Sequence, residues 1–306
     1  MVILQMIQAL IRWIVGIVGI LALPWLDYKS FMEALIHLHY LCPPRWLSEL
    51  DKPGILVEAV PIDNHYVISA SGSVLGVWSV ERPASLITIV YLHGQISNRG
   101  MDRRRRVLEF LHAHVNVNVV TYDPSGYGDS TGWPTSENLK KDVASVIAWA
   151  KERFTDSRIV VWGHSLGGPI AAHAATLGIV DGLVLESTFA QLGHPAVHGV
   201  FGAPLWLIPV AMREWLVKAV LEATIGDHLD TIKYVKSVTV PILLIHGAWD
   251  LIVPIANQRH IASASTSRLT QLTIPLAGHN NLYVYDYGDG FPELVKTPLC
   301  EWLSKI

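Results

Sequence analysis

The sequence predicts an α/β domain built on a mostly parallel β-sheet that helices cover on both faces. After Pro43 and Pro44, short runs rich in Val, Ile and Leu alternate with longer segments of helical periodicity. Such strand-like runs are apolar on both faces, which is typical of parallel strands buried between layers of helices. The chain has 306 residues and is 51% hydrophobic, so it can bury a large core.

The candidate strands are bounded by turn-forming residues. The first three, ILVEAV, HYVISAS and VLGVWSV, are short and close together, as expected of antiparallel strands. Six more follow, most of them separated by helical segments: SLITIVYLHG, VNVVTYDPSG, RIVVWGHS, DGLVLEST, PILLIHGAWD and TQLTIPLAGH. The segment 136–154 places its apolar residues on one stripe, which predicts an amphipathic crossover helix. These residues are Leu139, Val143, Val146, Ile147 and Ala150.

The chain begins with an apolar run that is long enough to cross a bilayer. Residues 3–26 are interrupted only by two glutamines and Arg12, and about 20 apolar residues span a membrane. The sequence PWLD that follows is a poor signal-peptide cleavage site. We therefore predict a single-pass membrane anchor over residues 1–28 and a linker or amphipathic segment over residues 29–54. A cleaved signal peptide and a buried helix of the domain are the alternatives.

The composition argues against several classes of function. Charged residues make up 16% of the chain and the formal net charge is -3, so there is no basic surface for a nucleic acid. Cys42 and Cys300 are too few for a disulfide framework, and no Cys/His cluster has zinc spacing. We expect no nucleic-acid partner, no metal and no cofactor. Whether the two cysteines pair is left open.

Residues 160–175, VVWGHSLGGPIAAHAA, begin as a buried strand and end as a helix of small residues, with Ser165 at the junction. The G-x-S-x-G pattern in this context predicts a nucleophile elbow, a sharp turn that holds the serine in a strained conformation. The helix N-terminus directs backbone N–H groups at negative charge that develops beside the serine. Ser165 is the predicted nucleophile, and an ordinary N-cap serine is the alternative.

A serine hydroxyl is a weak nucleophile, so a base must take its proton and an acid must orient that base. The chain order expected for this type of fold is serine, acid, histidine. Asp250, in LLIHGAWDLIVP, and His279, in IPLAGHNNLY, follow candidate strands and satisfy that order. An Asx turn is the structural alternative for Asp250. Asp227, Asp230 and Glu186 are the alternative candidates for the acid of the triad.

Three further histidines compete with His279 for the role of base. His93 and His246 stand at strand ends, and we interpret both as structural. His164 precedes the predicted nucleophile, and we expect its side chain to point away from the tip of the elbow.

The loop after the strand SLITIVYL is the candidate oxyanion loop. The backbone N–H of Gln95 in this loop can pair with the N–H of Leu166, which follows the nucleophile, to bind the oxyanion of a tetrahedral intermediate. The alternative for Gly94 is an ordinary glycine between a strand and a loop.

A long insertion, at about residues 189–239, predicts a helical cap above the site. Its content of Trp, Leu, Val and Ala can line an acyl-chain tunnel or simply pack the cap onto the sheet. The basic run 103–106 offers a phosphate or membrane contact, or a solvated helix face.

The motifs LHGQISNRG, TYDPSGYGDSTG, WGHSLGG, VLEST, HGAWDLIVP and GHNNLY occur in one order along the chain. In this the chain resembles the α/β-hydrolase fold serine hydrolases, from about residue 56 to the C-terminus. The resemblance implies an α/β-hydrolase domain over residues 55–306, with an eight-stranded sheet flanked by helices and a helical cap. It also carries over Ser165, Asp250 and His279 as the triad. One departure is Ser125, where that family usually has an arginine.

Within that superfamily the chain looks most like the membrane-anchored lysophosphatidylserine and monoacylglycerol lipases. The resemblance implies a serine lipase or esterase that cleaves monoacylglycerols or lysophospholipids through an acyl-enzyme. It further implies a membrane protein of the endoplasmic reticulum with a luminal or extracellular catalytic domain. A protein depalmitoylase, a peptidase and a catalytically silent module that binds a lipid or a partner protein remain alternatives.

Overall fold

A computed structural model of the protein describes only part of the chain. The described residues are 50–51, 55–56, 60–96, 98–191, 209–212, 229–283 and 290–306. The predicted anchor, nearly all of the predicted linker, Cys42 and most of the predicted cap lie outside them. Within the described ranges, no helix is both long enough and apolar enough to cross a membrane.

The centre of the molecule is an eight-stranded sheet. In chain order its strands are β3 (Asp63–Ile68), β4 (Val74–Val80), β5 (Ile87–Leu92), β6 (Asn118–Tyr122), β7 (Arg158–His164), β8 (Gly182–Glu186), β9 (Ile242–Gly247) and β10 (Leu269–Ile274). Their order across the sheet is β10-β9-β8-β7-β5-β6-β4-β3. The pairs β3–β4 and β4–β6 are antiparallel, and the other neighbours are parallel. The predicted fold class is therefore confirmed.

The stretch ILVEAV differs from its prediction as one strand. Its ends form two short strands, β1 (Ile55–Leu56) and β2 (Val60–Pro61), and residues 57–59 lie outside the described part. Ile55 pairs with Pro61 and Leu56 with Val60 in an antiparallel register, separate from the large sheet.

Six helices surround the sheet in the described ranges. They are α1 (Asp102–His114), α2 (Ser136–Arg153), α3 (Gly167–Thr176), α4 (Thr231–Val235), α5 (Ala256–Ala264) and α6 (Gly290–Leu303). The predicted apolar stripe of α2 is buried, as expected. The side chain of Thr135 begins that helix by accepting a hydrogen bond from the N–H of Asn138.

Helices cover both faces of the sheet, so the domain has two cores. Because side chains alternate along a strand, β7 sends Ile159 and Val161 into one core and Val160 and Trp162 into the other. The first core is packed by α2, α3, α4 and α5, and the second by α1 and α6. This explains why the central strands are apolar at every position.

The topology brings the predicted site residues to one edge of the sheet. Ser165 follows β7, Gln95 follows β5, Asp250 follows β9 and His279 follows β10. These four strands are parallel to one another, so their carboxyl ends lie on the same side, where open α/β sheets bind ligands.

Candidate active site

Ser165 occupies the sharp turn between β7 and α3 with a φ of 52°. A non-glycine residue in this left-handed region carries about 1–3 kcal/mol of strain. Two hydrogen bonds to the end of β8 and the residues after it hold the backbone there. The Ser165 N–H donates to the carbonyl of Glu186 at 2.9 Å, and the Thr188 hydroxyl donates to the Ser165 carbonyl at 2.7 Å.

The two glycines that flank the elbow allow it to close. A Cβ atom on Gly163 would lie 2.2 Å from the carbonyl oxygen of Gly167, which is a contact no side chain can make. A Cβ atom on Gly168 would lie 2.0 Å from the hydroxyl of Thr188. The strand and the helix therefore approach each other at backbone distance, and the serine side chain is left at the tip.

The structure brings together the three residues predicted as a triad. His279 Nε2 lies 3.1 Å from Ser165 Oγ, and His279 Nδ1 lies 2.7 Å from Asp250 Oδ2. Asp250 is 3% exposed. This arrangement places a base beside an alcohol and an acid behind the base, which is the requirement for activating a serine.

The alternative acids take other roles in the structure. Glu186 accepts a hydrogen bond from Trp162 Nε1 at 2.8 Å. Complete burial raises the pKa of Glu186 to about 7. Asp230 begins α4 by accepting from the N–H of Lys233 at 3.0 Å. Asp227 lies outside the described residues.

Two of the competing histidines are buried and bonded to the backbone. His93 Nδ1 lies 2.7 Å from the carbonyl oxygen of Gly94, and its Nε2 lies 3.1 Å from Asp123 Oδ1. His246 Nε2 lies 2.8 Å from the carbonyl oxygen of Val253. Both contacts agree with a structural interpretation.

The expectation that His164 points away from the elbow is wrong. Its ring centroid lies 5.0 Å from that of His279, and its Nε2 lies 3.0 Å from the His279 carbonyl oxygen. The reason is that the loop after β10 crosses directly over the end of β7. Sequence spacing of 115 residues gives no sign of this crossing.

The loop after β5 passes close above Ser165. A Cβ atom on Gly94 would lie 3.1 Å from Ser165 Cβ and 3.0 Å from His164 Nδ1. A side chain on Gly94 would push these neighbours by a few tenths of an ångström, so the close approach favours glycine at this position. Gln95 lines the cavity at Ser165, and Leu166 is the first residue before α3. Their role as oxyanion donors stays a prediction.

The loop after β6 is anchored without the arginine usual in the resembling family. Ser125 is fully buried, and its N–H donates to Asp142 Oδ2 at 2.8 Å. Its hydroxyl donates to Ser73 Oγ at 2.9 Å. Asp142 also accepts hydrogen bonds from Ser69 and Ser71, so a cluster of serine hydroxyls surrounds this carboxylate.

A cavity of about 230 Å³ opens at Ser165. Among the described residues, its lining combines apolar side chains with two cations and includes no carboxylate. The lining residues are Gly94, Gln95, Ile96, Met101, Arg103, Arg104, His164, Ser165, Ile252, His279 and Asn280. The basic run 103–106 is thus not a uniformly solvated face, because Arg103 is exposed at the cavity whereas Arg104 is buried.

Comparisons with known proteins agree with this description. Residues 87–208 match the profile of the alpha/beta hydrolase fold family. Human protein ABHD12B is 28% identical over 253 residues, which are 74% of this chain and 68% of that protein. Rat lysophosphatidylserine lipase ABHD12 is 30% identical over 226 residues, which are 71% of this chain and 56% of that protein. The chain thus spans only about half to two thirds of the length of these relatives.

Among solved structures, the Pyrococcus furiosus esterase Pf2001 superimposes with a TM-score of 0.63 at 22% identity. The match covers 80% of this chain and 93% of the esterase. At this identity the likeness speaks for the fold alone. Taken with the strand order, it shows the α/β-hydrolase fold, and by sequence the chain is similar to the lysophosphatidylserine lipases.

Proposed function

We propose that this protein is a serine hydrolase that cleaves the carboxylic ester of a lipid through an acyl-enzyme on Ser165. The observation that carries the proposal is the chain of hydrogen bonds from Ser165 through His279 to Asp250. Relatives named as lysophosphatidylserine lipases support it.

Each member of the triad has one task in the proposed reaction. Ser165 Oγ attacks the ester carbonyl carbon while His279 Nε2 accepts its proton. Asp250 holds the Nδ1–H and stabilises the imidazolium that forms. The proton then passes to the leaving alcohol, and the acyl group stays on Ser165. Water attacks the acyl-enzyme next and gives a proton to His279, which returns it to Ser165 Oγ as the bond to the acyl group breaks and the fatty acid leaves.

The negative charge of the tetrahedral intermediate needs donors. We assign this role to the backbone N–H groups of Gln95 and Leu166, since the loop after β5 lies against Ser165 and Leu166 directly follows it. Each such donor contributes about 10²–10³ to the rate.

The cavity favours a lysophospholipid over a neutral monoacylglycerol as the substrate. Ile96, Met101 and Ile252 offer apolar contacts for an acyl chain, and Arg103 is exposed at the same cavity. A guanidinium binds a phosphate in a planar, bidentate geometry. An anionic head group would therefore meet the positive charge of Arg103 in the same cavity that Ser165 lines.

The placement of the enzyme at a membrane belongs to the proposal as well. The apolar run 1–28 is the anchor, residues 29–54 connect it to the domain, and the segment 189–239 forms a cap above the site. We place the protein in the endoplasmic reticulum with its domain in the lumen or outside the cell. Carbonate extraction of the full chain and of a form lacking residues 1–28 tests the anchor, and protease protection of microsomes tests the orientation.

A fluorophosphonate probe tests the reaction directly. The full-length protein should be labelled, Ser165→Ala should not, and Ser263→Ala should be labelled like the wild type because Ser263 is exposed on α5. Equal labelling of Ser165→Ala would contradict the proposal. Hydrolysis of lysophospholipid, monoacylglycerol, acyl-thioester and peptide substrates then separates a lipase from a depalmitoylase or a peptidase. A protein with no turnover on any ester would be a binding module.

A further inference from the structure

We propose that His164 is a positioning residue that holds the backbone of the catalytic histidine in place, and that Arg104 selects the tautomer of His164 which does so. This inference rests on the proposed function, because it concerns the base of that reaction. It assigns roles to two residues outside the triad.

The tautomer of His164 follows from its two partners. Arg104 Nη1 lies 3.1 Å from His164 Nδ1, and the His279 carbonyl oxygen lies 3.0 Å from His164 Nε2. A guanidinium has only donors, so His164 Nδ1 must accept. A carbonyl oxygen has only lone pairs, so His164 Nε2 must carry the proton and donate it. The ring is therefore neutral and protonated at Nε2.

The surroundings of His164 keep this state. The side chain is 2% exposed. Burial, the charge of Arg104 and the proximity of His279 hold the pKa of His164 well below its usual range, and His93 acts in the same direction. The hydrogen bond to the His279 carbonyl acts in the opposite direction. These surroundings therefore favour the neutral ring, in agreement with the two hydrogen bonds.

Arg104 is an unusual buried cation. It is 6% exposed and forms no ion pair with any carboxylate in the described part of the chain. Buried arginines are normally paired with an acid, since burying a charge is costly. The hydrogen-bond partners of the Arg104 guanidinium in the described part of the chain are neutral instead, namely Tyr91 Oη at 3.3 Å and His164 Nδ1, while Glu186 interacts with the cation electrostatically without forming an ion pair. A role in setting the state of His164 explains why the cation is there.

The bond from His164 joins the two halves of the catalytic machinery. His164 is the last residue of β7 and directly precedes Ser165 in the sequence. His279 lies on the loop after β10, the last strand along the chain, 115 residues after His164. By donating a hydrogen bond to the His279 carbonyl oxygen, His164 fixes the position of the base relative to the end of β7, which carries the nucleophile. A misplacement of about 1 Å at a reacting centre can lower the rate roughly 10²-fold.

Two substitutions of His164 separate positioning from general stability. His164→Leu removes the donor, and we expect kcat for a soluble ester to fall roughly 10- to 100-fold while KM changes much less. His164→Gln keeps an N–H donor for the His279 carbonyl and should recover most of the lost kcat. His173→Leu, a half-buried histidine on α3 outside the site, is the matched control and should keep the wild-type kcat.

The role of Arg104 is tested by the tautomer itself. In ¹⁵N-histidine spectra of the full-length protein, the His164 resonances should show a proton on Nε2 and none on Nδ1. They are assigned by their loss in His164→Gln. In Arg104→Met the Nδ1 partner is gone, so the spectrum should show a mixture of tautomers and kcat should fall. This measurement also decides the matter if His164→Leu does not fold.

Three results would overturn the inference: a wild-type kcat in His164→Leu, a loss in His164→Gln as deep as in His164→Leu, or a proton on Nδ1 in the wild type. Failure of the proposed function is distinguishable, because the wild type itself would then neither react with the fluorophosphonate nor hydrolyse the ester. A wild type that does both, together with a fully active His164→Leu, would reject the positioning role alone.

Discussion

Asp250 contacts His279 through one of its carboxylate oxygens only: Oδ2 accepts the Nδ1–H at 2.7 Å. The other oxygen, Oδ1, accepts the backbone N–H groups of Ile252 and Val253 at 3.0 and 2.8 Å. These two bonds prevent the carboxylate from rotating away from the histidine. The turn after β9 is thus an Asx turn, and the same turn holds the carboxylate against His279. The Asx turn and the predicted place of Asp250 in the triad are therefore compatible.

Replacing Asp250 by asparagine should remove activity and leave the fold intact. The amide can still accept from Ile252 and Val253 through its oxygen, but its NH₂ group then faces His279 Nδ1 and forces the wrong tautomer. We expect kcat for an ester to fall by about 10⁴. The matched control is Asp230→Asn, which changes an acid that begins α4 and should retain activity. Equal kcat values in the two variants would contradict the role of Asp250.

Ser165→Gly should be at least as stable as Ser165→Ala. Alanine keeps the strain of the left-handed backbone at this position, whereas glycine relieves about 1 kcal/mol of it. At Ser263, on α5, the order should reverse, because glycine costs about 1 kcal/mol relative to alanine within a helix. Denaturant unfolding of the four variants measures both differences. The same order at both positions would show that the elbow carries no strain.

Gly163→Ala should both destabilise the protein and slow the labelling of Ser165. Its Cβ atom would collide with the carbonyl oxygen of Gly167, so the start of α3 must move. We expect a loss of about 1–3 kcal/mol in the free energy of unfolding, as in other overpacked sites. Gly278→Ala is the control for stability, since its Cβ atom would have no neighbour nearer than 3.6 Å. Equal stability of the two variants would argue against the close approach.

Glu186 should make the stability of the protein depend on pH. Burial raises its pKa to about 7 from an ordinary value of 4.5, so between these values the folded state holds a proton that the unfolded state has lost. The free energy of unfolding must then fall as the pH rises through this window, by about 1.4 kcal/mol for each pH unit.

Glu186→Gln should remove this contribution and can still accept from Trp162 Nε1 through its amide oxygen. Its stability relative to the wild type should rise from about pH 5 to about pH 8. Parallel stability curves of the two proteins in urea would show that Glu186 does not titrate in this range.

Arg103→Gln should weaken the binding of lysophospholipid more than that of monoacylglycerol. An exposed charge contributes up to about 1 kcal/mol, which corresponds to a rise in KM of roughly 2- to 5-fold. The effect should shrink at high salt because the charge is screened. Arg106→Gln is the control, since Arg106 lies on the same helix but does not line the cavity. An equal change for both lipids would exclude a contact with the head group.

The sequence contained enough local information to predict the sheet and the elbow. The continuous apolar run of β7 and the stripe of α2 depend only on neighbouring residues, and both are found as predicted. The G-x-S-x-G pattern is equally local. Chain order alone points to Asp250 and His279, and the structure places His279 beside Ser165 and Asp250 beside His279.

The contacts of His164 and Arg104 were beyond the reach of the sequence. Four successive arginines suggest a solvated helix face, and nothing in their spacing shows that Arg104 turns into the domain. The crossing of the β10 loop over His164 is a long-range event of the same kind. Such contacts depend on how the strands are ordered across the sheet, and local patterns carry no information about that order.

The order of the strands also has a consequence for biosynthesis. His279 lies 114 residues after Ser165 and follows β10, which stands at the edge of the sheet and, among the described strands, pairs only with β9. A nascent chain therefore carries an inert alcohol until its last strand has docked. Reaction with a fluorophosphonate would accordingly report completed folding, and unfinished chains would pose no hydrolytic hazard to the lipids around them.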